Sequence, residues 1–187
     1  MTSEAQNFKA QLLGGMNVAQ VDGDSYGGYN QPGILAGVGI YRIANKKYEY
    51  GFELLYSQKG SHKKTNPDDP LVFRLRYTYL CMPLFVEIKD LGLSLKKITL
   101  RAAISPNLNI TSKVDYGYGW GTSSIRKYEL SGIVSINYKF SDKMGIMLRH
   151  ENSLLSIGTP APNQFYKVNR HGLYNRLVSF VLSYDLK

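Results

Sequence analysis

Three histidines, one cysteine and scattered acidic residues are the side chains of this 187-residue sequence that could bind a metal ion or catalyse a reaction. His62, His150 and His171 do not cluster with the acids on one face of any predicted element, as a metal site requires. The single Cys81 excludes an internal disulfide and a site with several cysteine ligands. The sequence therefore predicts neither a metal site nor another cofactor.

His150 is the best-placed candidate for catalysis, because it follows Ile146 and Leu148 on an apolar face with a period of two. Deacylases that attack lipids from such a face carry a serine two residues from the histidine. The residue at that position here is Asn152. We therefore predict no catalytic residue and a protein that is not an enzyme.

The stretch Asp22 to Asn30 superficially resembles a calcium-binding loop, since aspartates alternate with glycine and serine. It lacks the glutamate that would follow at a fixed distance and bind the ion with both oxygens. A surface loop rich in turn-forming residues is the better interpretation.

Alternation of apolar and polar residues dominates the elements that must position these side chains. From Tyr48 to Lys59, tyrosine, phenylalanine and leucine occupy every second position, and glutamate, serine and lysine occur between them. A period of two is typical of a β-strand with one apolar and one polar face. Eight such segments follow one another, and long and short connections between them roughly alternate, which predicts four hairpins.

The polar faces carry isolated charges of both signs among small polar residues, which suits the interior of a narrow barrel where acids and bases must pair. The predicted charge network of the lumen consists of Glu53, Arg74, Arg76, Arg101, Glu129, Arg149 and Glu151. With eight strands, side chains just fill the interior, so we expect a plugged lumen rather than an open pore.

Tyrosine is unusually common, with 15 tyrosines against 7 phenylalanines. Tyrosine is enriched where acyl chains meet lipid headgroups. The predicted aromatic girdle consists of Tyr48, Tyr50, Tyr56, Tyr77, Tyr79, Tyr128, Tyr138 and Tyr184. Together these patterns predict an all-β fold, an eight-stranded antiparallel up-and-down transmembrane β-barrel in the outer membrane of a Gram-negative bacterium. A soluble lipocalin-like barrel that binds a lipophilic ligand stays an alternative, because alternation alone does not say which face points inward.

The net charge of +9 comes from lysines and arginines in turns and loops at both ends of the predicted strands. This distribution suits outer-membrane lipid and the phosphates of lipopolysaccharide, and it does not form the single stripe that nucleic acid would require. One predicted loop, 115–121, carries Tyr116, Tyr118 and Trp120 between glycines. It could contact a glycan or a protein partner, or it could fold over the barrel mouth or lie on the membrane interface.

Several motifs resemble the PorT-like outer-membrane β-barrel family of the Bacteroidetes. They are LLGGMNVAQVDGDSYGGYNQPGILAGV from Leu12 to Val38, ELLYSQKGS from Glu53 to Ser61 and YLCMPLFVEIK from Tyr79 to Lys89. The resemblance covers nearly the whole chain. It implies an outer-membrane barrel, with an accessory role in a secretion or gliding assembly as an alternative, and contact with the barrel-assembly machinery during biogenesis. The family usually ends on an aromatic residue, whereas this chain ends at Lys187, so Tyr184 is the expected substitute.

Residues 1–5 end in Ser3-Glu4-Ala5, and small residues at this spacing are typical of a signal-peptidase site. We expect either the remnant of a signal peptide or a disordered tail there, and a single barrel domain from residue 6 to 187.

Overall fold

The computed structural model describes residues 8–24, 26–63, 65, 71–89, 97–158 and 172–186. Residues 1–5 and His171 lie outside this part of the chain. The described residues form ten β-strands: β1 (Phe8–Asp22), β2 (Gln31–Ile43), β3 (Tyr48–His62), β4 (Arg74–Cys81), β5 (Leu84–Ile88), β6 (Ile98–Asp115), β7 (Trp120–Thr122), β8 (Tyr128–Lys139), β9 (Met144–Ser153) and β10 (Tyr174–Asp185). None of these residues belongs to a helix long and apolar enough to cross a membrane.

The strands form one antiparallel sheet that closes on itself. The pairs β1–β2, β2–β3, β6–β8, β8–β9 and β9–β10 follow the order of the chain, and β10 pairs with β1 to close the sheet. β4 and β5 together fill one position in the wall, because both pair with β3 on one side and β6 on the other. β7 pairs only with the last three residues of β6, next to the loop that joins the two strands. The wall therefore has eight positions, and the predicted eight-stranded antiparallel up-and-down barrel is confirmed.

The two ends of the barrel differ in their connections. Strands β2 and β3 are joined by residues 44–47, and β8 and β9 by residues 140–143, at what we call the short-turn end. The first and last described residues lie at this end too, where Leu186 N donates to Ala10 O at 2.7 Å. The connections after β1, β3, β6 and β9 lie at the opposite, long-loop end.

The wall is interrupted at two places that matter for side-chain placement. Pro83 has no N–H group, so β4 and β5 are separated there, although Met82 N still donates to Pro106 O at 3.0 Å. In β6 a bulge places Ile110 between the residues that pair with Thr78 and Tyr79. Above this bulge the inward positions of β6 shift from odd to even numbers, and Val114 is buried.

Apolar side chains cover the outside of the barrel, and most polar ones are inside. Along the outer face, exposed large apolar residues recur at every second position of the strands, such as Ile34, Val38, Phe52, Leu54, Leu84, Val86, Ile104, Val134, Ile136, Leu148, Phe180 and Leu182. The buried residues include glutamates, arginines, asparagines and serines from all sides of the wall. A soluble barrel has the reverse arrangement, which argues against the lipocalin-like alternative.

The predicted orientation of β4 was wrong. Tyr77 and Tyr79 are completely buried inside the barrel, whereas Arg74 and Arg76 point outward. The physical reason lies in β5, where Glu87 faces the interior and Leu84 and Val86 face outward. Because β4 and β5 share one wall position, strict alternation carries this orientation upward across Pro83.

Candidate functional site: the barrel interior and the long-loop end

A group of four charged residues fills the lower half of the interior, and we call it the lower ion cluster: Glu53, Glu87, Arg101 and Arg149. Arg101 pairs with Glu87 at 2.6 Å and also with Glu53. Arg149 donates to the same oxygen of Glu53 at 2.7 Å. Arg101 additionally lies over the ring of Phe85, 3.7 Å from its centroid. Two cations and two carboxylates therefore balance within one buried group.

The upper ion cluster, nearer the long loops, consists of Lys59, Glu129 and Glu151. The Lys59 ammonium is fully buried, pairs with Glu129 at 3.0 Å and also pairs with Glu151. It lies 4.8 Å from the centroid of the Tyr79 ring. One ammonium group thus holds two carboxylates that belong to different strands.

Neutral donors complete the coordination of the Glu129 carboxylate. Asn175 Nδ2 donates to Glu129 at 3.0 Å, Asn107 Nδ2 donates to the same residue at 3.2 Å, and the Ser153 hydroxyl donates to it as well. Buried charges are tolerated only when they are paired and hydrogen-bonded, and this set meets that condition.

An apolar layer lies above the ion clusters on the side of the long loops. Phe73 packs on Tyr26 with a centroid distance of 4.8 Å and on Tyr116 with a distance of 5.7 Å. The same buried cluster includes Tyr77 and Ile157. The described part of the mouth is therefore covered by aromatic side chains above the ionic interior.

The loop between β6 and β7 is held rigidly by Asp115, whose Oδ1 accepts hydrogen bonds from Gly117 N at 2.8 Å and Gly119 N at 3.2 Å. Both glycines have φ near +100°, a conformation that other residues adopt with strain. At the tip of this loop, Tyr118 is 100% exposed. Of the three predicted contact residues, Tyr116 covers the mouth, Trp120 lies on the outer wall beside Arg76, and Tyr118 alone projects freely.

The remaining tyrosines of the predicted girdle face outward. Four lie toward the short-turn end and two toward the long-loop end: Tyr48, Tyr50, Tyr138 and Tyr184, then Tyr56 and Tyr128. Outward tyrosines at both ends of the apolar surface occupy the positions at which amphipathic rings favour a membrane interface.

The first loop is closed by internal contacts of its acids. Asp22 pairs with Arg176 at 2.8 Å, and Asp24 is buried and accepts a hydrogen bond from Tyr26 N. Burial raises the pKa of Asp24 to about 6, although the hydrogen bonds with the Ser61 side chain and Tyr26 N act to lower it. Among the described residues, no group of three or more histidine, cysteine or acidic side chains could hold a metal ion.

The two described histidines lie outside the ion clusters of the interior. His62 Nε2 accepts a hydrogen bond from Arg74 Nε at 3.2 Å near the long-loop end. His150 is exposed on the outer wall, between Leu148 and Asn152 on the same face.

The structure brings together five of the seven residues predicted for the lumen, namely Glu53, Arg101, Glu129, Arg149 and Glu151. Lys59 and Glu87 belong to the same clusters and were not among the predicted residues. The signal for Lys59 was present, because it shares the face of Glu53 in β3. Glu87 could have been found from its position between the outward Val86 and Ile88.

No protein-family model matches the chain, and no curated protein matches it. Solved structures do. Ail, the attachment invasion locus protein of Yersinia pestis, is 10% identical, with a TM-score of 0.59 over 96% of this chain and 99% of Ail. A second structure of Ail, in complex with the heparin analogue sucrose octasulfate, has a TM-score of 0.57 with the same identity and coverage. Neisserial surface protein A is 14% identical, with a TM-score of 0.52 over 95% of this chain and 96% of that protein.

These similarities agree with the fold described above. The chain is a closed eight-stranded antiparallel β-barrel with an apolar outer wall and an ionic interior. The resemblance to PorT-like proteins stays a prediction.

The upper ion cluster should dominate the stability of the interior. Replacing Lys59→Met leaves Glu129 and Glu151 buried without a cation, so we expect the free energy of unfolding to fall by about 3–5 kcal/mol. Urea unfolding of the barrel in detergent micelles measures this change. Lys139→Met is the matched control, because the Lys139–Asp185 pair is partly exposed and should cost less than about 1 kcal/mol.

Adding Glu129→Gln and Glu151→Gln to Lys59→Met should restore most of the lost stability, since the amides carry no charge. Equal losses for Lys59→Met and Lys139→Met, or no recovery in the triple variant, would contradict this assignment.

Proposed function

We propose that the protein is an integral outer-membrane barrel without enzymatic activity, which has a closed lumen and acts through contacts at its long-loop end. The observation that carries this proposal is the reversed distribution of side chains, with apolar residues outside and paired charges inside. Within a bilayer, only helices and closed barrels can satisfy every backbone hydrogen bond. A closed barrel with an apolar belt is the form that spans outer membranes.

The proposed orientation follows from the asymmetry of the two ends. Outer-membrane barrels have short turns on the periplasmic side and longer loops on the outer side. Here the long-loop end carries the rigid aromatic tip of the β6–β7 loop. We infer that this end faces the outside of the cell and that Tyr118 is the first point of contact for a partner.

Closure of the lumen is supported by the layers that fill it. The lower ion cluster, the upper ion cluster and the aromatic layer over the mouth succeed one another from the short-turn end to the long-loop end. Their members are almost all buried, including the fully buried Lys59 and Tyr79. Such a packed interior favours a stabilising role for the charges over ion conduction.

The orientation can be tested with single cysteines, because the native Cys81 is buried and supplies an unreactive background. We expect Tyr118→Cys to react with a membrane-impermeant maleimide on intact cells. Asp142→Cys, in the turn between β8 and β9, should react only after the outer membrane is permeabilised. Labelling of Asp142→Cys but not Tyr118→Cys on intact cells would show the opposite orientation. Recovery of the protein in a soluble fraction without detergent would contradict the proposed membrane location.

The closed lumen can be tested in planar bilayers. We expect the reconstituted wild-type chain to give no stable conductance steps, because side chains from every strand fill its interior. The variant Lys59→Met with Glu129→Gln and Glu151→Gln serves as a comparison, since it removes the upper charges while keeping the other layers. Large, stable channels from the wild type would refute closure.

Contact through the loop tip can be tested by photo-crosslinking on intact cells. With benzoylphenylalanine in place of Tyr118, we expect an adduct that is absent when the same group replaces Phe140 in an exposed turn at the short-turn end. Adding Asp115→Ala should reduce the adduct severalfold, because it releases the two backbone hydrogen bonds that hold the tip. An adduct of equal yield at both positions, or one indifferent to Asp115→Ala, would count against contact through this tip.

A further inference from the structure

Three cations lie together on the outer wall near the long-loop end, and we call them the outer basic patch: Arg74, Arg76 and Lys113. All three are exposed. The correction to β4 places them there, since the arginines were expected in the lumen. We infer that this patch binds the phosphate groups of a lipid in the outer leaflet of the membrane. The inference rests on the proposed outer-membrane location.

The first observation is an unfavourable pairing that the chain itself does not relieve. Arg76 lies directly opposite Lys113 across β4 and β6, on the same outer face. Side chains directly opposite each other in an antiparallel pair have Cβ atoms roughly 4.5–5.5 Å apart, and like charges there repel. In the part of the chain that the structure describes, neither residue forms an ion pair with an acid. An anion bound between the two cations would convert the repulsion into attraction.

The second observation concerns the acid that is nearest along the strands. Asp115 lies opposite Arg74, two residue pairs above Arg76 and Lys113 and on the same outer face. Its carboxylate oxygen already accepts two backbone hydrogen bonds from the loop tip. The patch therefore keeps an excess of positive charge on its outer face, and the loop is held in place independently of any ligand.

The third observation is the height of the patch on the wall. Below it on the outer face of β4 lies the apolar Leu80, four residues along the strand from Arg76, which is about 13 Å. Trp120 lies beside Arg76, with the guanidinium 5.0 Å from the ring centroid. Tryptophan next to a cation, just beyond the apolar belt, is typical of the headgroup level of a membrane. Phosphates of a lipid anchored in the belt would reach this level, so a lipid, and not a soluble anion, is the occupant we infer.

Trp120 also provides a direct signal, because it is the single tryptophan of the chain. The full-length barrel, held in a non-ionic detergent without phosphate, is titrated with diphosphorylated lipid A while tryptophan fluorescence is recorded. We expect a saturable change for the wild type. Arg76→Gln with Lys113→Gln should weaken the apparent affinity about 30-fold, the factor expected for two cations at an anionic lipid surface.

The matched control is Lys46→Gln with Lys47→Gln, which removes the same charge from exposed positions at the short-turn end. It should leave the titration unchanged. Lys113→Glu is a second test, since it replaces the repulsion by an ion pair with Arg76. This variant should raise the midpoint of urea unfolding without lipid and lose the response to lipid A.

Titrations with two other ligands show whether the patch binds a phosphorylated lipid or a free anion. Lipid A without phosphates should give no saturable change, and inorganic phosphate at equal phosphate concentration should give none either. An equal response to inorganic phosphate would make this a site for a free anion and overturn the lipid assignment. Equal affinity of the wild type and the Arg76→Gln, Lys113→Gln variant would overturn the site itself. If that variant still fractionates with outer membranes, the proposed membrane location is kept and only the assignment of a lipid-binding site to the patch is refuted.

Discussion

Strict alternation along a closed wall is the constraint on which the rest of this structure depends. Once β2 pairs with β3 and β10 pairs with β1, the sheet has no open edge, and each side chain of the wall points either inward or outward. Moving one strand by a single residue would exchange its entire inner and outer sets. The apolar belt, the ion clusters and the outer basic patch are therefore set together, and an inward position becomes an outward one only at an irregularity such as the bulge at Ile110.

The ion pairs of the interior favour the correct register of the strands over a register shifted by one residue. Glu53 takes both Arg101 and Arg149 as partners, and Lys59 joins two glutamates from the opposite side of the wall. A shifted strand would place one member of each group in the apolar belt, where an unpaired charge is expensive. Buried ion pairs are weak evidence for high stability, since apolar residues could fill the same space. Here they distinguish the correct register from its neighbours.

Much of this architecture follows from the sequence, and the failure at β4 shows where such reasoning stops. Alternation in β3, β6, β8, β9 and β10 is clear, because each strand has one face that is plainly polar. In β4 both faces are ambiguous: Tyr77 and Tyr79 are amphipathic, and Arg74 and Arg76 suit either a lumen or a headgroup layer. Only continuity with Glu87 across Pro83 decides the direction, and a proline is usually taken to end a strand. The partners of Lys59 could not be predicted, since they lie 70 and 92 residues away along the chain.

The span of the ion clusters along the chain has a consequence for how the barrel enters the membrane. Glu53 and Lys59 belong to the third strand, and Arg149 and Glu151 belong to the ninth. A growing sheet that lacked the ninth strand would carry Glu53 and Lys59 toward an apolar medium without Arg149 and Glu151 to complete their ion pairs. Strand-by-strand insertion is thus penalised until the last hairpin arrives. The ion pairs of the interior form fully only when both the third and the ninth strand are in place. We therefore expect the wall to assemble around these charges before lipid surrounds it.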